Sequence, residues 1–387
     1  SGHHVSWLAT RDDWTEAGGD VAREGVFVAR TVSRASRQRL SPAGQLAVAA
    51  KALWNRDAER GMRELLARHR PDIVHVHKVY PQLSVAPLII AARAGVPVVQ
   101  TLHDYELMAA SHADPRGGRV DRHEALARFR VLNTATFPVR RTLHASAVST
   151  WIAGSRFLAE RYAARGIAAD VLAHFTELPA GPGIAPADRR QGIVFVGYLG
   201  WEKGVGDVLE LTRRLNGERV TVIGDGPDAD RVRSASDRLG NLRYRGRIDH
   251  AEVLTEMGSA RLLLAPSHWQ EPAGLVALEA MSLGTPVIAY RSGGLAEYVS
   301  DAGGGRVVDA GVESLVGAAQ ELLGSPEQWG RLSRAGAEGV ARRHSPAGYL
   351  SQLEALYRRT LGGHGTGSPR RVAWQRGRRG RPGPSSR

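Results

Sequence analysis

The sequence predicts an α/β protein built of two doubly wound domains that face each other across a cleft. Three observations point there. Short β-like runs alternate with helix-like segments throughout, the pattern restarts after a Pro/Gly/Ala-rich stretch at 178–192, and several strand ends run straight into glycine turns. A chain of 387 residues is long enough for two such units, each burying its own core.

In the first half, strands are expected at 5–9 (VSWLA), 25–30 (GVFVAR), 72–77 (DIVHVH), 97–103 (PVVQTLH), 146–150 (SAVST) and 170–174 (DVLAH). Helices are expected near 44–69, 83–94, 121–143 and 155–165. The segment LPAGPGIAPADRRQG has linker composition, so 1–180 reads as the N-terminal domain and 181–192 as the connection. The second domain, 193–345, repeats the alternation with strands at 193–197, 219–224, 242–246, 261–265, 286–290 and 305–308. Three helices between about 311 and 361 close it, the last at 346–362, and residues 363–387 form a disordered basic tail. In sheets of this kind ligands bind outside the carboxyl ends of the strands, which gives weight to motifs there.

Composition narrows the function. With 42% hydrophobic and 24% charged residues the chain is globular, and its best apolar window, VAPLIIAARAGVPVVQ, is broken by Arg93 and two prolines, so no membrane span is expected. There are no cysteines and no secretory signal at the start, which excludes disulfides and thiolate metal sites and favours a cytoplasmic location. The net charge of +13 falls to +6 once the seven arginines of residues 370–387 are set aside. The remaining basicity is spread out and carries no nucleic-acid motif, so nucleic acid is not an expected partner. Arginine-rich loops at 30–40 and 112–124, with the tail, suit peripheral contact with an anionic membrane or an anionic acceptor. Of 52 basic side chains only Lys51, Lys78 and Lys203 are lysine, and that scarcity draws attention to each.

The stretch HWQEPAGLVALEAMSLGTPVIAY, residues 268–290, holds Glu271 and Glu279 with seven residues between them. On one helix they would stand roughly 12 Å apart along the axis and about 80° around it. That is too far for a glycosidase pair, which needs about 5–9.5 Å, and no third residue completes a metal site by short spacing. One extended ligand fits better. Pro272 suits a helix's first turn, so Ala273, Gly274 and Leu275 would offer free amides to an anion, with Glu279 two turns in at another part of the same molecule. A diphosphate with ribose and sugar on either side answers that description; a solvated helix face is the plain alternative. Upstream, FVGYLGWEKG (195–204) runs from a strand through a glycine loop to Lys203, a suitable phosphate partner. VIGDGPDADRV (222–232) is a second strand and glycine turn, with close approach to a ligand or a plain turn equally open. TLHDYEL (101–107) ends a strand with His103 and Asp104.

In order and spacing these residues resemble family 4 of the retaining glycosyltransferases, the two-domain, Rossmann-like type called GT-B. The likeness covers nearly the whole chain: His103-Asp104, SRFLAERYAARG (155–166), Gly-x-x-x-x-Glu-Lys-Gly at 197–204, Gly-Asp-Gly-Pro at 224–227, and the glutamate pair followed by EAMSLGTPVIAYRSGGLAEYV. The resemblance implies transfer of a hexose-type sugar from a nucleoside diphosphate sugar to a hydroxyl acceptor (glycan, lipid-linked or small molecule), without metal or bound cofactor. It implies that Lys203 neutralises the donor diphosphate with the amides of Gly274 and Leu275, and that Tyr198, Gly200, Gly226 and Pro227 are donor contacts. By the same likeness Glu271 meets the transferred sugar, Glu279 the ribose and Arg247 with Ile248 the base, while His103 sits by sugar and acceptor. Acceptor and leaving group would then lie on one face, the diphosphate taking the acceptor proton, and no covalent protein nucleophile is required. Tyr198 stands where many members have arginine, and the stretch 173–178 (AHFTEL) replaces the family's asparagine. The same architecture also serves nucleotide-sugar 2-epimerases, against which the Glu-Lys-Gly loop speaks, and a non-catalytic nucleotide-sugar-binding subunit is a further alternative.

Members open with a strand, glycine loop and helix ahead of a GH-x-V segment, whereas SGHHVSWLA stands at the very start here. The N-terminal domain is therefore expected to lack its central first strand. The gap between 5–9 and 72–77 would be two strand spacings, roughly 9.6 Å, and a poorly stable, weakly active chain is the expected result.

Overall fold

The computed structural model describes residues 2–10, 25–28, 42–108, 127–178 and 187–364. The basic loops at 30–40 and 112–124 and the tail from 370 onward lie outside the described residues. Two α/β domains face each other, each with parallel strands.

In the C-terminal domain β7 (Ile193–Val196), β8 (Val220–Ile223), β9 (Leu242–Gly246), β10 (Leu262–Ala265), β11 (Val287–Tyr290) and β12 (Gly305–Val308) form one sheet in the order β12-β11-β10-β7-β8-β9. All pairings are parallel. The strands are apolar on both faces because both are covered. Phe195, Val222, Leu264 and Ile288 point into one core, whereas Val194, Ile223, Leu263 and Val287 point into the other. Strand order reverses between β7 and β10, so the loops after these two strands flank the crevice where such sheets take ligands.

The N-terminal strands fall into two sheets. β1 (Trp7–Thr10) pairs with β2 (Gly25–Val28), and β3 (Val74–Val76), β4 (Val98–Leu102), β5 (Thr150–Ala153) and β6 (Asp170–Val171) follow in order. Among the described residues no ladder joins β1 or β2 to β3.

Four sequence expectations need correction, three of them in the N-terminal half. The helix foreseen over 44–69 is two, α1 (Pro42–Leu53) and α2 (Arg56–His69). Asn55 breaks it: its side-chain oxygen accepts the amides of Asp57 and Ala58 at 3.0 and 3.2 Å, while its own Nδ2 donates to the Gln82 carbonyl at 2.7 Å. The strand set at 146–150 begins only at Thr150. The preceding helix, α4 (Ala127–Ala147), follows α3 (Ala86–Arg93) and runs through Ser146, and the β-branched and aromatic TWIA carries the strand. The run at 170–174 keeps strand geometry only at Asp170–Val171.

After α5 (Arg156–Ala163), the C-terminal domain contributes α6 (Val205–Arg214), α7 (Ala229–Ser236), α8 (His250–Ser259), α9 (Leu275–Ser282), α10 (Gly293–Ala302), α11 (Val312–Gly324) and α12 (Pro326–Arg343). The last helix, α13 (Pro346–His364), was expected to help close this domain and instead returns to the first. Leu356 is buried with Val99, Ile152 and Leu172, Thr360 meets Thr150 at 2.8 Å, and Arg359 pairs with Asp170 at 2.9 Å. No helix among the described residues is long and apolar enough to cross a membrane.

Contacts across the domains cluster at α5 and α10. Glu297 accepts the amides of Arg156 and Phe157, both at 3.0 Å, so a carboxylate from one domain caps a helix of the other. Ser155 donates to the Pro272 carbonyl at 2.6 Å, and Arg156 grips both oxygens of Asp301.

Candidate functional site

The loops that follow β7 and β10 meet at the switch point and are laced by one carbonyl. Glu202 O accepts the amides of His268 at 2.9 Å and Trp269 at 3.1 Å, with Ser267 Oγ 3.0 Å away. Gly204 makes this approach feasible: its φ is +75°, and a Cβ there would lie 2.0 Å from the Pro266 carbonyl oxygen.

The lacing brings Lys203 and Glu271 together. Lys203 Nζ donates to Glu271 Oε1 at 2.5 Å, Ser267 Oγ lies 2.8 Å from the same oxygen, and the ammonium sits 5.6 Å from the centroid of the Trp269 ring. Glu271 is only 8% exposed, its carbonyl accepts the Gly294 amide at 2.7 Å, and a Cβ on Gly293 would come within 2.4 Å of that carbonyl. The pair is a cation and an anion held ready at one spot, neither an acid/base couple nor two carboxylates around a metal. Among the described residues no group of three or more His, Cys, Asp or Glu is disposed to hold a metal ion.

Glu271 and Glu279 do not share a helix. Pro272 does not open one either, because Gly274 is the N-cap of α9 and Leu275 its first residue. The capping residue has no side chain to offer, so no side chain caps the leading amides, and Leu275 beside them is exposed. Glu279 lies one turn in and meets His250 Nε2 at 3.1 Å, which draws the Arg247–Ile248 segment, just ahead of α8, to the same end of the crevice. Arg247 is exposed and Ile248 packs partly on the core.

The second glycine turn packs closely on the first at Gly226. A Cβ there would lie 2.5 Å from the Leu199 carbonyl oxygen, and Leu199 exchanges backbone bonds of 2.9 Å with Asp225 and Asp228. Its glycine serves the seating of one loop on the other, with Pro227 exposed beside it. Gly200 is buried as the N-cap of the short 201–203 turn, and Tyr198 is half-buried on the same loop.

On the facing domain His103 follows β4 and His77 follows β3, with His77 Nδ1 2.9 Å from His103 Nε2. Burial, then the neighbouring His77 and His174, hold His103 well below the imidazole range, at about 4. The two halves are tied at their chemistry-bearing loops: the buried Tyr105 donates its hydroxyl to the Gln270 carbonyl at 2.5 Å and meets Trp269 edge-on at 5.9 Å.

Sequence reasoning passed over several of these residues. His268 lies in the stretch it emphasised, and its Nε2 meets Asp207 Oδ2 at 2.9 Å while Tyr290 donates to that oxygen at 2.7 Å. This hydrogen bond ties the Glu271 loop to the first turn of α6, and it also raises the His268 pKa. His77 could have been found by the rule that singled out His103, a histidine immediately after a strand.

Two facing α/β domains with a cation–carboxylate pair at the switch point of one and a histidine at a strand end of the other define a two-domain GT-B architecture. Residues 1–175 match the model described as glycosyl transferase 4-like domain, and residues 183–339 match glycosyl transferases group 1. The 2-deoxystreptamine N-acetyl-D-glucosaminyltransferase of Streptomyces fradiae is 30% identical over 310 residues, covering 70% of each chain. The glycogen synthase of Mycobacterium tuberculosis is 28% identical over 277 residues, or 69% of this chain, and this chain spans only 63% of that relative's length. Among solved structures, HepE from Anabaena in complex with UDP superposes with a TM-score of 0.63 at 15% identity, over 92% of this chain and 100% of that one. The chain belongs to the glycosyl transferases group 1 family.

Proposed function

We propose that this protein transfers a hexose-type sugar from a nucleoside diphosphate donor to a hydroxyl acceptor with retention of configuration, in the cytoplasm. The observation that carries the reading is the Lys203–Glu271 pair on the two loops at the switch point, beside the leading amides of α9. The ammonium and the amides of Gly274 and Leu275 suit a diphosphate, which would draw Lys203 from Glu271 and leave that carboxylate to the transferred sugar. Glu279 suits ribose hydroxyls and Arg247–Ile248 the base, while His103 lies on the acceptor side. The bond from the anomeric carbon to the leaving phosphate oxygen breaks and the bond to the acceptor oxygen forms on the same face. The acceptor proton passes to the leaving diphosphate. The UDP complex of HepE supports a nucleotide donor.

A panel of uridine, adenosine and guanosine diphosphate hexoses, each with hydroxyl acceptors, tests this by release of nucleoside diphosphate and the anomeric configuration of the product. Transfer with retention, at a rate unaltered by EDTA, is expected, since Lys203 and helix amides supply the positive charge. Inverted product, or transfer that EDTA abolishes and magnesium restores, would break the mechanism. Conversion of donor without acceptor would instead mark an isomerase.

Glu279→Gln is expected to weaken donor binding several-fold with little change in turnover, because ribose hydroxyls are held equally in ground and transition states. The donor KM and kcat measure it. A fall confined to kcat would remove Glu279 from the ribose.

A further inference from the structure

Three imidazoles line the carboxyl edge of the N-terminal sheet, from His77 after β3, His103 after β4 and His174 beyond β6. His103 is bracketed. One nitrogen, Nε2, meets His77 Nδ1 at 2.9 Å, and on the other side the His174 ring lies parallel at 5.8 Å with 1° between planes. The row is anchored at both ends. His75, stacked on His77 at 4.6 Å, is held by the hydroxyls of Tyr357 at 2.6 Å and Thr101 at 2.8 Å. The His174 amide donates to the Tyr298 hydroxyl at 2.9 Å, and its carbonyl lies 2.7 Å from His344 Nδ1.

We propose that His77 is a positioning residue for His103: it fixes the tautomer of that ring and leaves Nδ1 as the nitrogen with which His103 meets the acceptor hydroxyl or the transferred sugar. The role at substrate rests on the function proposed above; the pairing of the rings does not.

A hydrogen bond between two imidazoles needs one donor and one acceptor, so both rings cannot be charged at once. The surroundings keep them neutral. Burial foremost, then mutual repulsion, lowers His75 to about 3 and His103 to about 4, and burial also lowers His77 and His174. Lys78 adds to the effect on His103, whereas Asp104, which pairs with Lys78, opposes it. Glu106, buried beside them, is pushed up to about 7 by burial and by Asp104. With the pair neutral, the proton on one nitrogen decides the next. If His77 Nδ1–H donates, His103 carries its proton on Nδ1 and can donate to a sugar oxygen. If His103 Nε2–H donates, Nδ1 is bare and can accept from the acceptor hydroxyl. His77 therefore sets which role His103 plays.

Long-range proton–nitrogen spectra of the imidazoles, recorded on the full chain with His103→Ala for assignment, read the tautomer directly. Wild type should show one tautomer of His103, and His77→Ala a mixture, with the protonation midpoint of His103 moved upward because a repelling neighbour has gone. Turnover should fall about tenfold to a hundredfold with donor KM nearly constant, and the acid limb of the pH–kcat profile should rise in parallel. His77→Asn, whose amide reaches the place of Nδ1, should recover the single tautomer and most of the rate. Unchanged His103 signals in His77→Ala overturn the pairing. Altered signals with unaltered kcat overturn its role at substrate. A wild type that turns over no donor removes the functional reading, and with it that role, while the spectra still decide the pairing.

Discussion

Lys203→Ala is expected to weaken donor binding about tenfold to a hundredfold and to take most of the turnover with it. The ammonium sits at the switch-point crevice, and a diphosphate deprived of it would lean on the helix amides. The same change also strands Glu271, whose side chain is 11% exposed and would retain Ser267 alone. Removing one partner of a buried pair costs about 3–5 kcal/mol; with Lys203 29% exposed the loss here should be smaller, about 1–3 kcal/mol. Calorimetric titration with nucleoside diphosphate and thermal unfolding separate the two effects. Adding Glu271→Gln to Lys203→Ala should restore stability, since no uncompensated charge remains, but not affinity. Unchanged affinity and turnover in Lys203→Ala would sink the assignment of this crevice to the donor.

Glu271→Gln should reduce kcat on the order of a hundredfold while leaving donor KM equal or lower. Glutamine keeps the size and can still accept from Ser267 and Lys203, so the loop should hold its course. What disappears is negative charge beside a sugar that turns cationic in the transition state. The charge that restrained Lys203 disappears too, which favours the diphosphate in the ground state. Steady-state kinetics on matched preparations decide it. Small, equal effects of Glu271→Gln and Glu279→Gln would mean that neither carboxylate acts on the donor.

How much of this was legible in the chain follows from how local each cause is. The strands of the C-terminal domain stand within a residue of their apolar runs because both sheet faces are buried, and Lys203 was marked by rarity and by its loop. The break at Asn55 was hidden because it depends on Gln82 and Ser84, well beyond any local pattern. The seat of Glu271 was likewise misread as a proline-led helix. Its backbone is held by Gly294 and Ser292 and its loop by the Glu202 carbonyl, all distant in sequence. His77 carried the same strand-end signal as His103, but His174 has no meaning until strand order sets it beside that ring.

The return of α13 to the first domain bears on how the chain is made. Leu356 and Tyr357 cover Val99, Ile152 and His75, so the sheet that appears early during synthesis waits for nearly the last residues described before one of its faces is shielded. Contacts of such long sequence separation slow folding, and meanwhile the uncovered face is open to misassociation. The two domains therefore cannot mature strictly one after the other as the ribosome releases them; the second must deliver its final helix before the first is finished.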